Sequence, residues 1–217
     1  MQPIRYPDIP LFAGVEAQNM EPLLLCLRGF RRAYEKGSYI LLDQEHVKNV
    51  GVVLFGSVHM LKEDIWGNQT MLSYMGPGEL FGETFAIQRD TKSYVSFLAA
   101  ADTEVLFLSL DAVIHPCAKQ CPFHLRLTQN LFDLIGGKNV RLLERIEVSS
   151  KGTLREKILS FLSLQAQHQG SKYITIPLSR AEMASYLQSN RSALSRELSA
   201  MREEGLLDFD KNVFVIK

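Results

Sequence analysis

The stretch Leu178-Ser-Arg-Ala-Glu-Met-Ala-Ser-Tyr-Leu-Gln-Ser-Asn-Arg-Ser-Ala-Leu-Ser-Arg-Glu-Leu-Ser-Ala-Met201 predicts two short helices joined by a tight turn. Ser179 and Glu182 have the spacing of a capping box, in which each side chain accepts a hydrogen bond from the backbone amide of the other residue. The residues Gln188-Ser189-Asn190 interrupt the apolar pattern, and either Ser189 or Asn190 can cap the second helix. We expect these side chains to face inward: Met183, Ala184 and Leu187 in the first helix, then Leu194, Leu198 and Met201 in the second.

The outward face of the second helix is short, polar and positively charged. An arginine can donate two hydrogen bonds to a guanine in the major groove, and a serine hydroxyl suits a base edge or a phosphate. In a helix-turn-helix, residues near the start of the second helix reach the base edges. A helical hairpin whose outer face is simply solvated is the alternative interpretation. The residues on this face are Arg191, Ser192, Ser195, Arg196 and Ser199.

Four further groups suit contacts with the DNA backbone. Lys172, Ser179 and Arg180 lie at or just before the start of the first helix, where contacts position a protein on the duplex without reading its sequence. Ser199 lies further along the second helix. We expect these four residues to contact phosphates.

The distribution of charge divides the chain in two. The net charge is zero. Residues 1–137 nevertheless carry 11 Lys and Arg against 15 Asp and Glu, whereas residues 138–217 carry 13 against 9. An acidic first part and a basic second part are typical of two parts with different partners.

The number of cysteines and the hydropathy of the sequence indicate the cellular compartment. Cys26, Cys117 and Cys121 are the only cysteines, and an odd number argues against a disulfide framework and favours a reducing cytoplasm. No apolar run approaches the roughly 20 residues that span a bilayer, and the N-terminus has no signal-peptide core. We therefore expect a cytoplasmic protein with no membrane partner.

Residues 30–110 are predicted to be all-β. Short β-type runs separated by turn residues recur through this part, and they indicate an antiparallel sandwich or barrel. The segment Met75–Phe85 is rich in glycine, which lets a backbone approach a ligand and aim its amides inward. With Lys92 and Ser93 nearby it forms a candidate anion site, although glycine-rich turns are usually only turns.

From about Pro122 the apolar period becomes helical. A helix of roughly 25 residues exceeds what a small domain needs to cover its core, so its apolar stripe suits a seam with a second copy. Ordinary core packing is the alternative, and Gly136-Gly137 predicts a bend or break. The apolar stripe consists of Leu127, Leu131, Leu134, Leu142, Leu143 and Ile146. The residues predicted to form the seam are Leu127, Leu131, Leu134 and Leu142.

After a polar hinge at 148–153 the pattern predicts a helix, a short strand over 172–177, the opening stretch, and a terminal hairpin that forms a wing. A β-roll containing Pro77–Glu83, a long helix, and a winged helix containing Asn190–Leu198 together resemble the cyclic-AMP receptor/FNR family of bacterial transcription regulators. The resemblance implies an α+β fold: an antiparallel, cupin-like jelly roll over 1–120 that binds an effector, a dimerisation helix over 121–147, and a winged helix-turn-helix over 148–217. It also implies a homodimer that reads a palindromic operator in double-stranded DNA, contacts RNA polymerase and is not an enzyme.

The resemblance assigns the base contacts. Arg191, Ser192, Ser195 and Arg196 fall on the base-reading positions of the family. Well-known members commonly have a glutamate where this chain has Ser192, so the operator is expected to differ from theirs. The Ser195-Arg196 pair matches the FNR branch, and Arg196 is the expected guanine reader.

The resemblance also bears on the effector. Gly82, Glu83 and Ser93 match the cassette that binds the phosphate in cyclic-nucleotide members, but Lys92 stands where those members have arginine. The lysine ammonium is a compact point charge, so it cannot donate the two parallel hydrogen bonds that an arginine guanidinium offers to a phosphate. Cyclic AMP is therefore disfavoured, and the expected effector is an unidentified small molecule.

Other cofactors are disfavoured as well. An iron–sulfur cluster needs four thiolates, and the chain has three. A CxxxC pair such as Cys117 and Cys121 is more often incidental than redox-active. Haem would need an axial ligand from among lone histidines, and no metal site is predicted. Two other functions remain open: a metabolite-binding module whose helical tail contacts proteins, and an enzyme on a cupin-like roll. The histidines considered for haem are His46, His59, His115 and His124.

Overall fold

The computed structural model describes residues 4–88, 91–115 and 123–217. The chain divides into two compact units, Met1–Gly137 and Lys138–Lys217. The boundary coincides with the change in charge along the sequence. The predicted functional boundaries near residues 120 and 147 stay a prediction.

The first unit contains two four-stranded antiparallel sheets. The strands are β1 (Phe30–Tyr34), β2 (Tyr39–Leu41), β3 (Asn49–Phe55), β4 (Val58–Glu63), β5 (Gln69–Met75), β6 (Leu80–Phe81), β7 (Ser96–Ala99) and β8 (Thr103–Ser109). Their orders in the two sheets are β1-β8-β3-β6 and β2-β7-β4-β5. The roll also carries α1 (Met20–Cys26), α2 (Glu83–Ile87) and α3 (Leu110–Ile114).

Strand β3 lies between two hydrophobic cores, because successive side chains of a strand point to opposite faces. Val50, Val52 and Leu54 belong to an outer core that the N-terminal segment covers. Val53 belongs to the core inside the roll. Gly51 also faces the inside, where a Cβ atom would lie 2.3 Å from the Phe81 ring. Glycine is therefore required at this position for the aromatic filling of the roll.

The long helix α4 (Phe123–Ser149) is continuous through both glycines, so Gly136-Gly137 does not break it, and the alternative of a bend there stays a prediction. Leu127 and Leu131 are buried in the outer core of the first unit, and Leu134 packs against it. A side chain already enclosed by its own chain has no surface left for a partner. The choice of Leu127 and Leu131 for a dimer seam is therefore corrected.

The second unit is a winged helix-turn-helix. Thr153 and Glu156 form a capping box at the start of α5 (Leu154–Gln169). The remaining elements are β9 (Tyr173–Thr175), α6 (Arg180–Tyr186), α7 (Arg191–Glu203), β10 (Leu207–Asp210) and β11 (Val213–Ile216). Strand β9 pairs with the terminal hairpin in the order β10-β11-β9. The predicted α+β architecture of β-roll, long helix and winged helix-turn-helix is confirmed.

Candidate nucleic-acid interface

Side-chain caps hold both helices of the helix-turn-helix. The Ser179 amide donates to Glu182 Oε2 at 2.7 Å, and the Glu182 amide donates to Ser179 Oγ at 3.3 Å, which confirms the predicted capping box. At the second helix, the Ala193 amide donates to Asn190 Oδ1 at 2.8 Å. Asn190 is therefore the cap of α7, which the sequence had left open between Asn190 and Ser189.

Helix α7 is divided into a buried and an exposed side. Leu194, Leu198 and Met201 have no exposed surface, as predicted. On the opposite side the four base-reading candidates are all exposed to solvent, while Ser199 is half-buried. The contact of these four residues with bases stays a prediction, and the face of α7 that such a contact requires is exposed to solvent. The four exposed residues are Arg191, Ser192, Ser195 and Arg196.

The Arg180 side chain contacts the wing. Its guanidinium lies over the rings of Phe209 and Phe214, at 4.9 and 4.7 Å from their centroids. Its Nη2 donates to the backbone oxygen of Lys211 at 2.8 Å. Burial among these groups lowers the pKa of Arg180. Arg180 therefore holds the wing against α6, and its predicted phosphate contact stays a prediction.

The other phosphate candidates remain accessible. Lys172 is exposed next to β9, and its ammonium lies 5.9 Å from the centroid of the Tyr173 ring. Ser179 is exposed, and its hydroxyl can still donate while it accepts the cap hydrogen bond. The structure adds Lys211, an exposed cation at the wing tip with a φ of +48°. The hairpin turn was visible in the sequence, but nothing there placed Lys211 close to α6.

The candidate effector residues lie on two segments of the roll. Gly82 has a φ of +82° and caps α2, and Glu83 is buried at the start of that helix. The rings of Phe85 and Tyr94 meet edge to face at 5.2 Å, which joins α2 to the segment that carries Lys92 and Ser93.

Lys92 and Ser93 differ in their accessibility. Ser93 is fully buried, and its hydroxyl donates to the Val95 oxygen at 2.6 Å and accepts from the Val95 amide at 3.2 Å. Lys92 is exposed and forms an isolated β-bridge with His46. The hydroxyl of Ser93 therefore organises its own turn, and Lys92 is the member of this pair that is open to an anion.

The histidines and cysteines form no metal cluster in the described parts of the chain, where no group of three His, Cys, Asp or Glu could hold an ion. His59 and His124 are buried, and His124 Nε2 lies 3.0 Å from the Ala112 oxygen and 3.9 Å from Cys26 Sγ. Cys117 and Cys121 lie outside the described residues. No described helix is long and apolar enough to cross a membrane.

Two family models match the chain, one on each side of the long helix. Residues 31–120 match the cyclic nucleotide-binding domain, and residues 156–217 match the Crp-like helix-turn-helix domain. The chain belongs to the CRP/FNR family of transcription regulators. It is therefore a DNA-binding regulator with an effector-binding domain, and the family consists of regulators rather than enzymes.

Three proteins illustrate the likeness. The cyclic AMP receptor protein of Thermus thermophilus is 26% identical over 208 residues, which cover 91% of this chain and 88% of that protein. The transcriptional activator protein FnrL of Cereibacter sphaeroides is 22% identical over 202 residues, covering 86% and 76%. The structure of CLP from Xanthomonas campestris, a c-di-GMP responsive global regulator, superposes with a TM-score of 0.71 at 18% identity, covering 93% of this chain and 99% of that chain.

The exposed face of α4 bears on the predicted dimer seam. Leu142, one of the predicted seam residues, is 58% exposed. Phe132 and Leu143 are 70% and 66% exposed; Leu143 belongs to the predicted apolar stripe, and Phe132 does not. Helical periodicity shows two apolar sides on α4, and only the packing of the first unit shows which of them is used within the protomer. The exposed large apolar residues of α4 are Leu125, Phe132, Val140, Leu142, Leu143 and Ile146.

Proposed function

We propose that this protein is a homodimeric, sequence-specific transcription regulator whose β-roll senses a small effector and repositions the helix-turn-helix. One observation carries the proposal: α7 is capped by Asn190 and anchored by buried Leu194 and Leu198, while its polar face is open. That arrangement suits insertion of the helix into a major groove. In this proposal the protein acts in the cytoplasm, where it contacts RNA polymerase.

Within this proposal the exposed residues divide by role. Arg196 donates two hydrogen bonds to a guanine, and Arg191 and the two serines read neighbouring base edges. Lys172 and Ser179 contact phosphates, and Lys211 at the wing tip joins them. Ser192 has no carboxylate to accept from a cytosine amino group, so the half-site differs from those of members with glutamate there.

The proposed dimer seam is revised from the predicted one. Leu125, Phe132, Leu143 and Ile146 are exposed and fall on a and d positions of one heptad frame, with Gly136 on the same line. An apolar line of this kind on an exposed helix is buried by a parallel copy of itself. Two copies of α7 then reach half-sites about 34 Å apart on a palindrome.

The proposed effector is a small molecule other than cyclic AMP. Relatives are named for cyclic AMP and c-di-GMP, which are both anionic. Here Lys92 offers an ammonium in place of a planar fork, and the hydroxyl of Ser93 is engaged with Val95. These differences support a ligand with a different anionic group or none. Neither an iron–sulfur cluster nor haem is part of the proposal.

In vitro selection from random duplexes tests the proposal with the full-length protein. We expect enrichment of an inverted repeat, and fluorescence anisotropy should show at least tenfold weaker binding for Arg196→Ala, since each of the two copies loses a bidentate base contact that contributes about 1–3 kcal/mol. Lys48→Ala removes one exposed charge from the roll and serves as the control. Failure of the wild type to enrich any sequence, with and without an extract of small metabolites, would favour the metabolite-binding module with a protein-contacting tail.

A further inference from the structure

A single arginine of α5 forms hydrogen bonds with two carboxylates on one side of α7. Arg155 Nε donates to Glu197 Oε1 at 2.6 Å. Its Nη1 and Nη2 donate to the two carboxylate oxygens of Glu204, both at 2.8 Å. The guanidinium is therefore bidentate towards one carboxylate and bonded to a second, which is the geometry with the greatest directional specificity that an arginine offers.

The charges of this cluster are misplaced for the helices that carry them. Arg155 is the second residue of α5, where the helix dipole disfavours a cation. Glu204 is the C-cap of α7, where the dipole disfavours an anion. Neither residue stabilises its own helix, so the reason for both lies in the contact between the helices. Departures from local rules of this kind are expected where a protein meets a functional requirement.

The two contacts fix the rotation of α7 about its axis. Glu197 and Glu204 are seven residues apart, which is two helical turns or about 10 Å along the axis. A rotation of about 20° moves a side-chain tip on the helix surface by about 2 Å. A shift of that size breaks a bidentate hydrogen bond, whose donor and acceptor atoms must lie within about 0.5 Å of their best separation. The orientation of Arg196 towards a base therefore depends on how α7 is held.

We propose that Arg155 is a positioning residue for DNA recognition: by holding Glu197 and Glu204 it sets the rotation of α7 and thereby the base specificity of Arg196. This inference rests on the proposed function, in which α7 reads bases. Arg155 itself does not contact DNA. It also neutralises Glu197, the acidic residue that directly follows Arg196 in the sequence.

A purely stabilising role predicts a different outcome. The three side chains are 28% to 47% exposed, and ion pairs at such sites contribute little to the free energy of unfolding. Removing the cluster should therefore lower the melting temperature only slightly while it lowers the ratio between specific and non-specific binding. A phosphate contact would instead reduce the salt dependence of binding by about 0.9 in the log–log slope.

The test uses full-length protein and the selected operator, beside the same duplex with the base pair read by Arg196 replaced. For Arg155→Gln we expect operator affinity to fall about tenfold, with affinity for the replaced duplex and the salt slope unchanged. Lys157→Gln, which removes a charge from the same helix, should leave the ratio of the two affinities as in the wild type. An unchanged ratio for Arg155→Gln, or a reduced salt slope, would overturn the inference.

One further variant keeps the test decisive if Arg155→Gln unfolds, and a mutant cycle tests the coupling if it folds. Glu204→Gln removes the bidentate contact and retains the pair with Glu197, so the ratio should fall by a smaller factor, about threefold. In a Glu197→Gln/Glu204→Gln background, Arg155→Gln should cause no additional loss; an additional tenfold loss there would contradict the proposal. Absence of any operator for the wild type overturns the proposed function instead, so the two failures are distinguishable.

Discussion

Replacing Arg180 by methionine separates the two roles that this residue could have. The apolar stem is retained, but the contacts of the guanidinium with Phe209, Phe214 and the Lys211 oxygen are lost. A cation over an aromatic ring contributes about 0.5–1 kcal/mol at an exposed site, and a hydrogen bond from a charged group about 1.5–3 kcal/mol. Because Arg180 is half-buried and such contributions are not additive, we expect the wing to lose about 2 kcal/mol of stability.

Hydrogen–deuterium exchange of the full-length protein measures this loss where it occurs. A decrease of about 2 kcal/mol in opening free energy accelerates exchange of the hairpin amides over 207–216 about 30-fold, since each 1.4 kcal/mol is a factor of ten. Lys172→Met is the matched control: it should leave exchange in the hairpin unchanged and reduce the salt slope of DNA binding by about 0.9. Unchanged exchange for Arg180→Met, together with a reduced salt slope, would show that Arg180 is a phosphate contact and would refute the wing assignment.

Two further outcomes follow from the packing of the first unit and of α4. Gly51→Ala should destabilise the roll by about 1–3 kcal/mol in calorimetry, because the new Cβ would lie 2.3 Å from the Phe81 ring. Gly137→Ala has open space around it and should stabilise its helix by up to about 1 kcal/mol. Equal effects of the two substitutions on the free energy of unfolding would contradict the packing described. Phe132→Glu should convert the dimer to a monomer in sedimentation velocity, while Arg141→Gln, exposed on the same helix at an f position opposite the seam, should not. A Phe132→Glu dimer of wild-type affinity would place the seam elsewhere.

Features that depend on neighbours in the sequence were predictable. The Ser179–Glu182 capping box and the inward side of α7 follow from spacings of three and four residues, and the structure confirms both. Strand β6, which is only the dipeptide Leu80-Phe81, was not predicted because two residues carry no period. Strand β1 was not predicted because its charged edge sequence, Phe30-Arg-Arg-Ala-Tyr34, shows no apolar alternation.

Features that depend on distant residues were not predictable. The partners of Arg180 lie about 30 residues further along the chain, so the sequence showed a cation at a helix start and nothing of its aromatic surroundings. Leu127 and Leu131 have the same helical period as Phe132 and Leu143, and only the tertiary packing decides which side of α4 the protomer covers. Arg155, Glu197 and Glu204 form one cluster from two helices, and no motif in the sequence joined them.

A hydroxyl-radical footprint of the full-length protein on its selected operator, in parallel for wild type and Arg196→Ala, tests most directly whether two copies of α7 read the DNA. We expect two protected blocks on each strand, related by a dyad and centred about one helical turn, about 34 Å, apart, and their loss in Arg196→Ala at the lowest concentration that protects the operator with the wild type. A single protected block, or an Arg196→Ala footprint identical to that of the wild type, would contradict the claim that two copies of α7 read the operator.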